Sequence, residues 1–82
     1  MKYANDEARD AFNGRENYDR PLRLLEQSFR EAGLEIEFYC EISELGEKTV
    51  SIYRGGFLKR RASIECDSPA AAVKDVAERV SL

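Results

Sequence analysis

The clearest pattern in this chain is a strict alternation of apolar and polar residues over positions 34–42. The apolar positions are Leu34, Ile36, Phe38, Cys40 and Ile42. Because the side chains of a β-strand point alternately to opposite faces, the alternation predicts a strand with one buried side and one solvent-facing side. We expect the rest of the chain to extend this strand into a sheet and to cover its apolar side.

Two further segments predict strands that complete an antiparallel meander. Residues 48–53 follow a turn at residues 43–47 and place Val50 and Ile52 on the apolar side. A two-residue turn after this segment would set charged residues on that side, so we expect a bulged three-residue loop over residues 55–57. This register assigns Leu58, Ala62, Ile64 and Cys66 to the buried side, and it also turns Arg60 inward.

The remaining segments predict helices. A short helical arm within residues 1–17 is capped by Asn5, and because Phe12 is its only large apolar group, the arm is either loosely docked or free for interactions. A longer helix begins with Asp19 as its cap and ends before Gly33. Its apolar stripe consists of Leu22, Leu25, Phe29 and Ala32.

The last helix begins with Ser68 as the cap and Pro69 at the first helical position. Asp75 and Arg79 form an i,i+4 ion pair on its polar side. Its apolar face consists of Ala72, Val73, Val76, Ala77 and Val80. The predicted fold class is therefore α+β, with a three-stranded antiparallel meander, helices packed on one face, and the order (α)-α-β-β-β-α.

Length and composition predict one globular domain over residues 1–82, divided into the arm 1–17 and an α-β-β-β-α core over 18–82. A chain of 82 residues builds one thin two-layer core, and 35% charged with 43% hydrophobic residues is typical of globular domains. No apolar run approaches the ~20 residues of a membrane span, and the first residues lack the apolar segment of a signal peptide. We therefore expect a soluble, cytoplasmic protein.

Charge and reactive residues narrow the possible functions. The net charge is −3, but residues 1–50 hold twelve acids and seven bases (−5) while residues 51–82 hold four acids and six bases (+2). Cys40 and Cys66 are expected to be buried reduced thiols, with a disulfide between them as the minor alternative. The chain has no histidine and no paired catalytic groups, so we expect a non-enzymatic protein without a metal or other cofactor.

The polar side of the predicted sheet is the first candidate site. The expected register pairs Glu37 with Tyr53, Tyr53 with Lys59, and Tyr39 with Ser51, which makes a surface of tyrosines flanked by both signs of charge. Such a composition is typical of protein interfaces, although a merely solvated sheet face would have the same pattern. The candidate partner-binding residues are Glu35, Glu37, Tyr39, Glu41, Tyr53 and Lys59.

A cluster of basic residues is the alternative candidate site. Arg54, Lys59, Arg60 and Arg61 place four positive charges within eight residues, which could hold nucleic-acid phosphates. The interpretation as counter-charges for Glu35, Glu37 and Glu41 is favoured, because the net charge is negative and no aromatic run accompanies the cluster. Direct nucleic-acid binding is thus the less favoured function. Homodimerisation through an open strand edge is a third possibility, against which Lys59 and Arg61 would protect the edge.

The order helix, three-stranded meander, helix over residues 19–81 resembles that of double-stranded-RNA-binding domains. The RNA-contacting residues of that family do not carry over. The Gly-Pro-x-His element of its first strand-to-strand loop is replaced by residues 43–47 (Ser-Glu-Leu-Gly-Glu), and Lys74 is the single lysine where the last helix usually has a cluster. The resemblance implies the topology and gives RNA/DNA binding as the alternative function.

The ending Ala62-Ser-Ile-Glu-Cys-Asp-Ser-Pro-Ala-Ala-Ala-Val-Lys74 resembles small phage-encoded proteins, among them short anti-CRISPR proteins, over about residues 48–81. This resemblance implies a small acidic α+β inhibitor that blocks a larger host nucleic-acid-processing complex by binding its surface in the host cytoplasm. The sequence therefore favours a protein-binding module.

Overall fold

A computed structural model describes residues 1–64 and 68–81, and this part of the chain forms three helices and one four-stranded sheet. The strands are β1 (Lys2–Tyr3), β2 (Ile36–Ile42), β3 (Lys48–Arg54) and β4 (Phe57–Ile64). The helices are α1 (Asp6–Phe12), α2 (Asp19–Glu31) and α3 (Pro69–Ser81). The sheet order is β1-β2-β3-β4, with β1 parallel to β2 and the other pairs antiparallel. The α+β class is confirmed, but the sheet is mixed and has one strand more than predicted.

The additional strand β1 comes from the segment predicted to be part of a helical arm. Lys2 lies opposite Tyr39 and Tyr3 opposite Cys40, and the N–H of Ala4 donates to the Cys40 carbonyl across 3.0 Å. The Tyr3 ring packs edge-on against Phe12 at a centroid distance of 5.7 Å. Two residues are too few to show a period-2 pattern, so no local pattern predicts this strand.

A single core lies between the helices and one face of the sheet, which we call the inner face. The side chains of this core alternate along β2 and β3 as predicted, and all three helices contribute to it. The fully or nearly fully buried members are Phe12, Tyr18, Leu22, Ile36, Phe38, Cys40, Val50, Ile52, Ala62, Ile64, Ala72 and Val76. Because Ala8 and Phe12 are completely buried, α1 is docked, and the prediction of a loose or free arm is wrong.

Most of the predicted helix ends are confirmed. The side chain of Asn5 accepts the N–H of Ala8 across 2.8 Å, and the Ser68 hydroxyl accepts the N–H of Ala71 across 3.3 Å. Gly33 has a φ of +88° and lets the Leu34 N–H reach back to the Phe29 carbonyl at 3.0 Å, which ends α2 in a Schellman motif.

The start of α2 and its buried stripe differ from the prediction. Asp19 is the first helical residue and not the cap. The cap position is held by Tyr18, whose side chain makes no capping hydrogen bond to the helix and donates instead to Glu16. Leu22 is buried and Leu25 and Phe29 are half-buried, but Ala32 is exposed and Glu26 is buried. The position of Glu26 could not be expected from an apolar stripe, because its burial depends on a hydrogen-bond donor in β2.

Away from the turn, the β3–β4 hairpin has the predicted register, with Val50 opposite Ala62. The turn itself and the pairs next to it differ from the prediction. The turn contains only Gly55 and Gly56, both with positive φ (+58° and +85°), as a two-residue type I′ turn requires. A bulge then makes Lys59 the extra residue, since Tyr53 lies opposite Leu58 and Ile52 opposite Arg60. The three-residue loop, the Tyr53–Lys59 pair and the inward Leu58 are therefore wrong predictions.

The described residues include no helix that is both long enough and apolar enough to cross a bilayer. The predicted positions of Cys66 and of the end of the last strand lie outside the described residues.

Candidate functional site

The face of the sheet opposite the core, which we call the outer face, carries the residues that alternate with the core positions. The observed register pairs Glu37 with Tyr53 and Tyr39 with Ser51, as predicted. The rows of the outer face are Lys2–Tyr39–Ser51–Arg61, Glu37–Tyr53–Leu58 and Glu41–Thr49–Ser63. The outer face therefore brings three of the predicted partner-binding residues, Glu37, Tyr39 and Tyr53, next to one another.

These three residues line an open depression of about 470 Å³. Lys2 and Gly56 complete its wall. Both tyrosines are half-buried, so part of each ring is fixed while the rest faces solvent. A tyrosine ring offers apolar area and a hydroxyl that donates or accepts a hydrogen bond, at a low cost in side-chain entropy.

Two cations hold the carboxylate of Glu37 at the wall of this depression. The Nζ of Lys2 lies 3.7 Å from one carboxylate oxygen, and an Nη of Arg30 in α2 lies 3.9 Å from the other. The counter-charges of Glu37 thus come from β1 and α2. The predicted neutralisation by the basic cluster is wrong for Glu37. Within residues 1–64 and 68–81, Glu35 and Glu41 have no ion pair with that cluster either.

Exposed apolar side chains extend the surface at the hairpin end. Leu58 lies opposite Tyr53 on the outer face and is 45% exposed. Phe57 stands at the tip beside the turn and is 77% exposed. The exposure of Leu58 leaves apolar area next to Tyr53 that no part of the described chain covers, whereas Phe57, opposite Arg54, lies on the other side of the hairpin. Apolar side chains adjoining tyrosines are characteristic of the centre of a protein interface.

Ser51, in the middle of the outer face, is buried although its row faces solvent. It is 1% exposed, and its hydroxyl oxygen has no hydrogen-bond partner among the described residues. Its neighbours in the row are Tyr39 and Arg61. With so little exposed area, the Ser51 side chain offers almost nothing to a partner of the outer face.

The other predicted partner-binding residues lie away from the depression. Glu35 precedes β2, is exposed, and borders a separate small depression with Arg54 at the hairpin end. Glu41 lies on the outer face near the opposite end of β2, opposite Thr49. Lys59 is the bulge residue and is exposed.

The basic cluster is divided between the two faces of the sheet. Arg61 lies opposite Ser51 on the outer face, whereas Arg60 and Arg54 occupy the same side as Ile52 and Ile36. All four basic residues are exposed, and within the described ranges no acid forms an ion pair with them. The cluster is therefore an array of cations along β4 and its turn, with no single positively charged face.

A second polar cluster joins β1 to α2. The Tyr3 hydroxyl donates to Asp19, which also binds Arg23 through two contacts of 2.9 and 3.2 Å. Partial burial would raise the pKa of the Asp19 carboxyl, but the hydrogen bonds from Arg23 and Tyr3 outweigh burial and lower that pKa. Burial and the bond to Asp19 raise the pKa of the Tyr3 phenol. This cluster fastens the N-terminal segment to the body of the domain.

Cys40 is a free thiol in the core, as predicted. Burial, followed by the neighbouring charge of Asp19, raises its pKa to about 12. A thiol with so little thiolate at neutral pH is a weak nucleophile. In the part of the chain that the structure describes, no three His, Cys, Asp or Glu side chains are grouped so that they could hold a metal ion.

Lys2 and Leu58 belong to the site but were not among the predicted partner-binding residues. No local pattern could have found Lys2, because its place depends on the two-residue parallel strand. A signal for Leu58 did exist: an apolar pair directly after two glycines fits a type I′ turn with exposed flanking residues.

The fold and this surface define a small α+β domain with a tyrosine-containing sheet face that the described helices do not cover. The chain matches no protein-family model, and no curated protein or solved structure is detectably similar to it.

Proposed function

We propose that this domain is a non-enzymatic protein-binding module and that its contact surface is the depression on the outer face. The observation that carries the proposal is the position of Tyr39 and Tyr53 in that depression, between the Lys2–Glu37 ion pair and the exposed Leu58. Half-buried tyrosines beside exposed apolar side chains, with charged residues at the rim, are typical of protein–protein interfaces.

In its sharpest form the proposal makes the domain an inhibitor of phage type, which occupies the surface of a larger host nucleic-acid-processing complex of the CRISPR kind. This form rests on the resemblance of residues 48–81 to small phage-encoded proteins and on the acidic first part of the chain. The carboxylate of Glu37, which lines the depression with the tyrosines, would then face a basic surface of the partner.

The test is affinity capture from a bacterial lysate with and without nuclease, comparing the unmodified chain with the double variant Glu37→Lys, Tyr39→Ala. We expect a nuclease-resistant protein partner that the double variant loses. The matched control is Leu24→Ala with Glu78→Lys, two exposed residues of α2 and α3, which makes the same change in charge on the helical side. Equal capture by both folded double variants would contradict the proposed surface.

Capture that disappears with nuclease would favour the alternative, an RNA- or DNA-binding module that uses Arg54, Lys59, Arg60 and Arg61. The division of these residues between two faces weighs against the alternative, because phosphate neutralisation requires that the cations face one nucleic-acid backbone. For the inhibitor form, the activity of the captured complex on its nucleic acid should fall when the domain is added. It should stay unchanged with the Glu37→Lys, Tyr39→Ala variant.

A further inference from the structure

The free edge of the sheet at β4 is the second surface that the fold leaves available. β4 is the last strand of the sheet order, and it pairs with β3 alone among the described strands. Beyond the bulge at Lys59, the residues Arg60, Arg61 and Ser63 are exposed, while Ala62 and Ile64 are buried in the core. An edge strand presents unpaired backbone N–H and C=O groups, to which another extended chain can add.

The side chains along this edge select the charge of an added strand. Arg60 and Arg61 are consecutive, so they project to opposite faces of the sheet, as their partners Ile52 and Ser51 require. An added strand with acids at two consecutive positions would place one carboxylate beside each guanidinium, on either face. The positions of Arg60 and Arg61 on opposite faces weigh against binding to one nucleic-acid backbone, but they fit an added strand, whose side chains also alternate between the two faces.

The same charges argue against pairing between two copies of this domain. In an antiparallel contact of two β4 edges centred at Arg60 or Arg61, the basic residues of one copy would lie opposite those of the other, and like charges across strands destabilise the pair. A contact centred at Ala62 would set Arg60 and Arg61 opposite Ile64 and Ser63, where neither guanidinium meets an acid. The acidic strand β2 of a second copy offers no continuous free edge either, because β3 pairs along its whole length and Glu26 and β1 occupy the other edge at Phe38, Tyr39 and Cys40. Complementary charge thus points to a different chain.

We propose that the β4 edge beyond the bulge, residues Arg60–Ile64, binds an acidic extended segment of a partner protein as a fifth strand of the sheet. The bulge at Lys59 interrupts the regular ladder and sets the near limit of this segment. The backbone ladder supplies affinity, and Arg60 and Arg61 supply the preference for acids. Arg61 shares the outer face with Tyr39 and Tyr53, but neither it nor Arg60 lines the depression of the proposed function, and Arg60 lies on the opposite face.

The probe for this proposal is a fluorescent peptide of about eight residues, the length of β4, with a central Glu-Glu pair between valines and threonines. We expect the peptide to bind the unmodified domain, and the backbone amides of residues 60–63 to shift in NMR spectra and to exchange more slowly with solvent. A peptide with a central Lys-Lys pair should bind at least several-fold more weakly. A Glu-Glu peptide with alternate backbone nitrogens methylated should not bind, because it keeps the charges but lacks the ladder donors.

Variants of the domain separate this proposal from the proposed function. Arg60→Glu should weaken the Glu-Glu peptide about three- to tenfold, the effect expected for reversing one cross-strand charge pair. Arg15→Glu, the same charge change on the exposed loop between α1 and α2, should leave peptide binding unchanged, as should Glu37→Lys with Tyr39→Ala. Conversely, the Arg60→Glu variant should still capture the protein partner that binds the outer face in the lysate experiment.

Three results would overturn the proposal: equal binding of the methylated peptide, amide shifts confined to the outer face, or a dimer of the domain that occupies the β4 edge. Equal weakening by Arg15→Glu and Arg60→Glu would also overturn it, since it would mean that only the net charge matters. A failure of the Glu-Glu peptide to bind the unmodified domain would likewise overturn the proposal, and it would leave the outer-face capture experiment unaffected.

Discussion

The carboxylate of Glu26 in α2 accepts the backbone N–H of Phe38 in β2 across 2.7 Å. β1 pairs with β2 only at Tyr39 and Cys40. At Phe38, the residue before them, the Glu26 carboxylate accepts the hydrogen bond that a neighbouring strand would otherwise accept. Its other oxygen binds the amino group of Met1, also at 2.7 Å. One buried acid therefore joins α2, β2 and the segment before β1.

We predict that Glu26→Ala lowers the free energy of unfolding by about 3–5 kcal/mol, because it leaves a buried ammonium and a buried N–H without partners. Glu26→Gln keeps an acceptor for the Phe38 N–H but loses the charge, so its loss should be smaller, about 1–3 kcal/mol. The control is Glu31→Gln, an exposed acid of the same helix, with a change within about 0.5 kcal/mol. Urea unfolding measures all three, and a Glu26→Ala variant as stable as the control would refute this role.

The Tyr3–Asp19 hydrogen bond leads to a prediction on pH. The pKa of Asp19 is lowered in the folded state, so its contribution to stability is present above the usual value of 3.8 and is lost as the pH falls through the lowered pKa. The pKa of Tyr3 is raised, so its contribution is present below the usual value of 10.0 and is lost as the pH rises above it. Stability should thus decline at both ends of the range.

Tyr3→Phe tests this account because it keeps the ring beside Phe12 and removes only the hydroxyl. We expect a loss of about 1 kcal/mol at neutral pH, a smaller decline at acid pH and no tyrosine-dependent decline above pH 10.0. The measurement is the free energy of unfolding as a function of pH, with Tyr53→Phe, which has no such partner, as the control. Identical pH profiles for Tyr3→Phe and the unmodified chain would contradict the assignment.

The buried thiol of Cys40 should be nearly unreactive in the folded protein. A pKa of about 12 instead of 9.0 reduces the thiolate at neutral pH by about 10³-fold, and burial excludes the reagent as well. In a Cys66→Ser background, a thiol reagent should label Cys40 at the rate at which the domain opens, and urea should accelerate the labelling. Fast labelling in native buffer would show that Cys40 is not in the core.

The turn between β3 and β4 should tolerate substitution at one glycine and not at the other. Gly56 has a φ of +85° and no atom within 4 Å of an added Cβ, so Gly56→Ala should cost about 1–2 kcal/mol by backbone conformation alone. Gly55→Asn should be nearly neutral, because asparagine is favoured at the first central position of a type I′ turn. Thermal unfolding compares the two, and equal losses would argue against this turn type.

The sequence predicted those parts of the fold that depend on local periodicity. The alternation over residues 34–42 gave the inner and outer faces correctly, and the register of β2 with β3 followed from the length of the intervening turn. The cap residues Asn5 and Ser68 were also correct, because capping is a local interaction. Each of these features involves residues that are close in sequence.

The features that the sequence could not give depend on long-range contacts. β1 has two residues and no pattern, and its place on β2 depends on the packing of Tyr3 against Phe12. Glu26 looks like a solvent-facing acid until the Phe38 N–H is known to be its partner. Half of the candidate site was predicted, since Glu37, Tyr39 and Tyr53 lie together as expected. Lys2 belongs to the site only because β1 pairs with β2. Lys59 lies outside the site because the bulge sets Leu58 opposite Tyr53 in its place.

The most direct test of the proposed outer-face contact places a photo-crosslinking phenylalanine analogue at position 53 and, as the control, at position 24, where Leu24 is exposed on α2. Each protein is irradiated in the nuclease-treated lysate, and the adducts are identified by mass spectrometry. We predict one dominant protein adduct at position 53 that is absent at position 24 and is lost when Glu37→Lys is added. The same adduct at both positions, or an adduct at position 24 alone, would contradict a binding surface at Tyr39 and Tyr53.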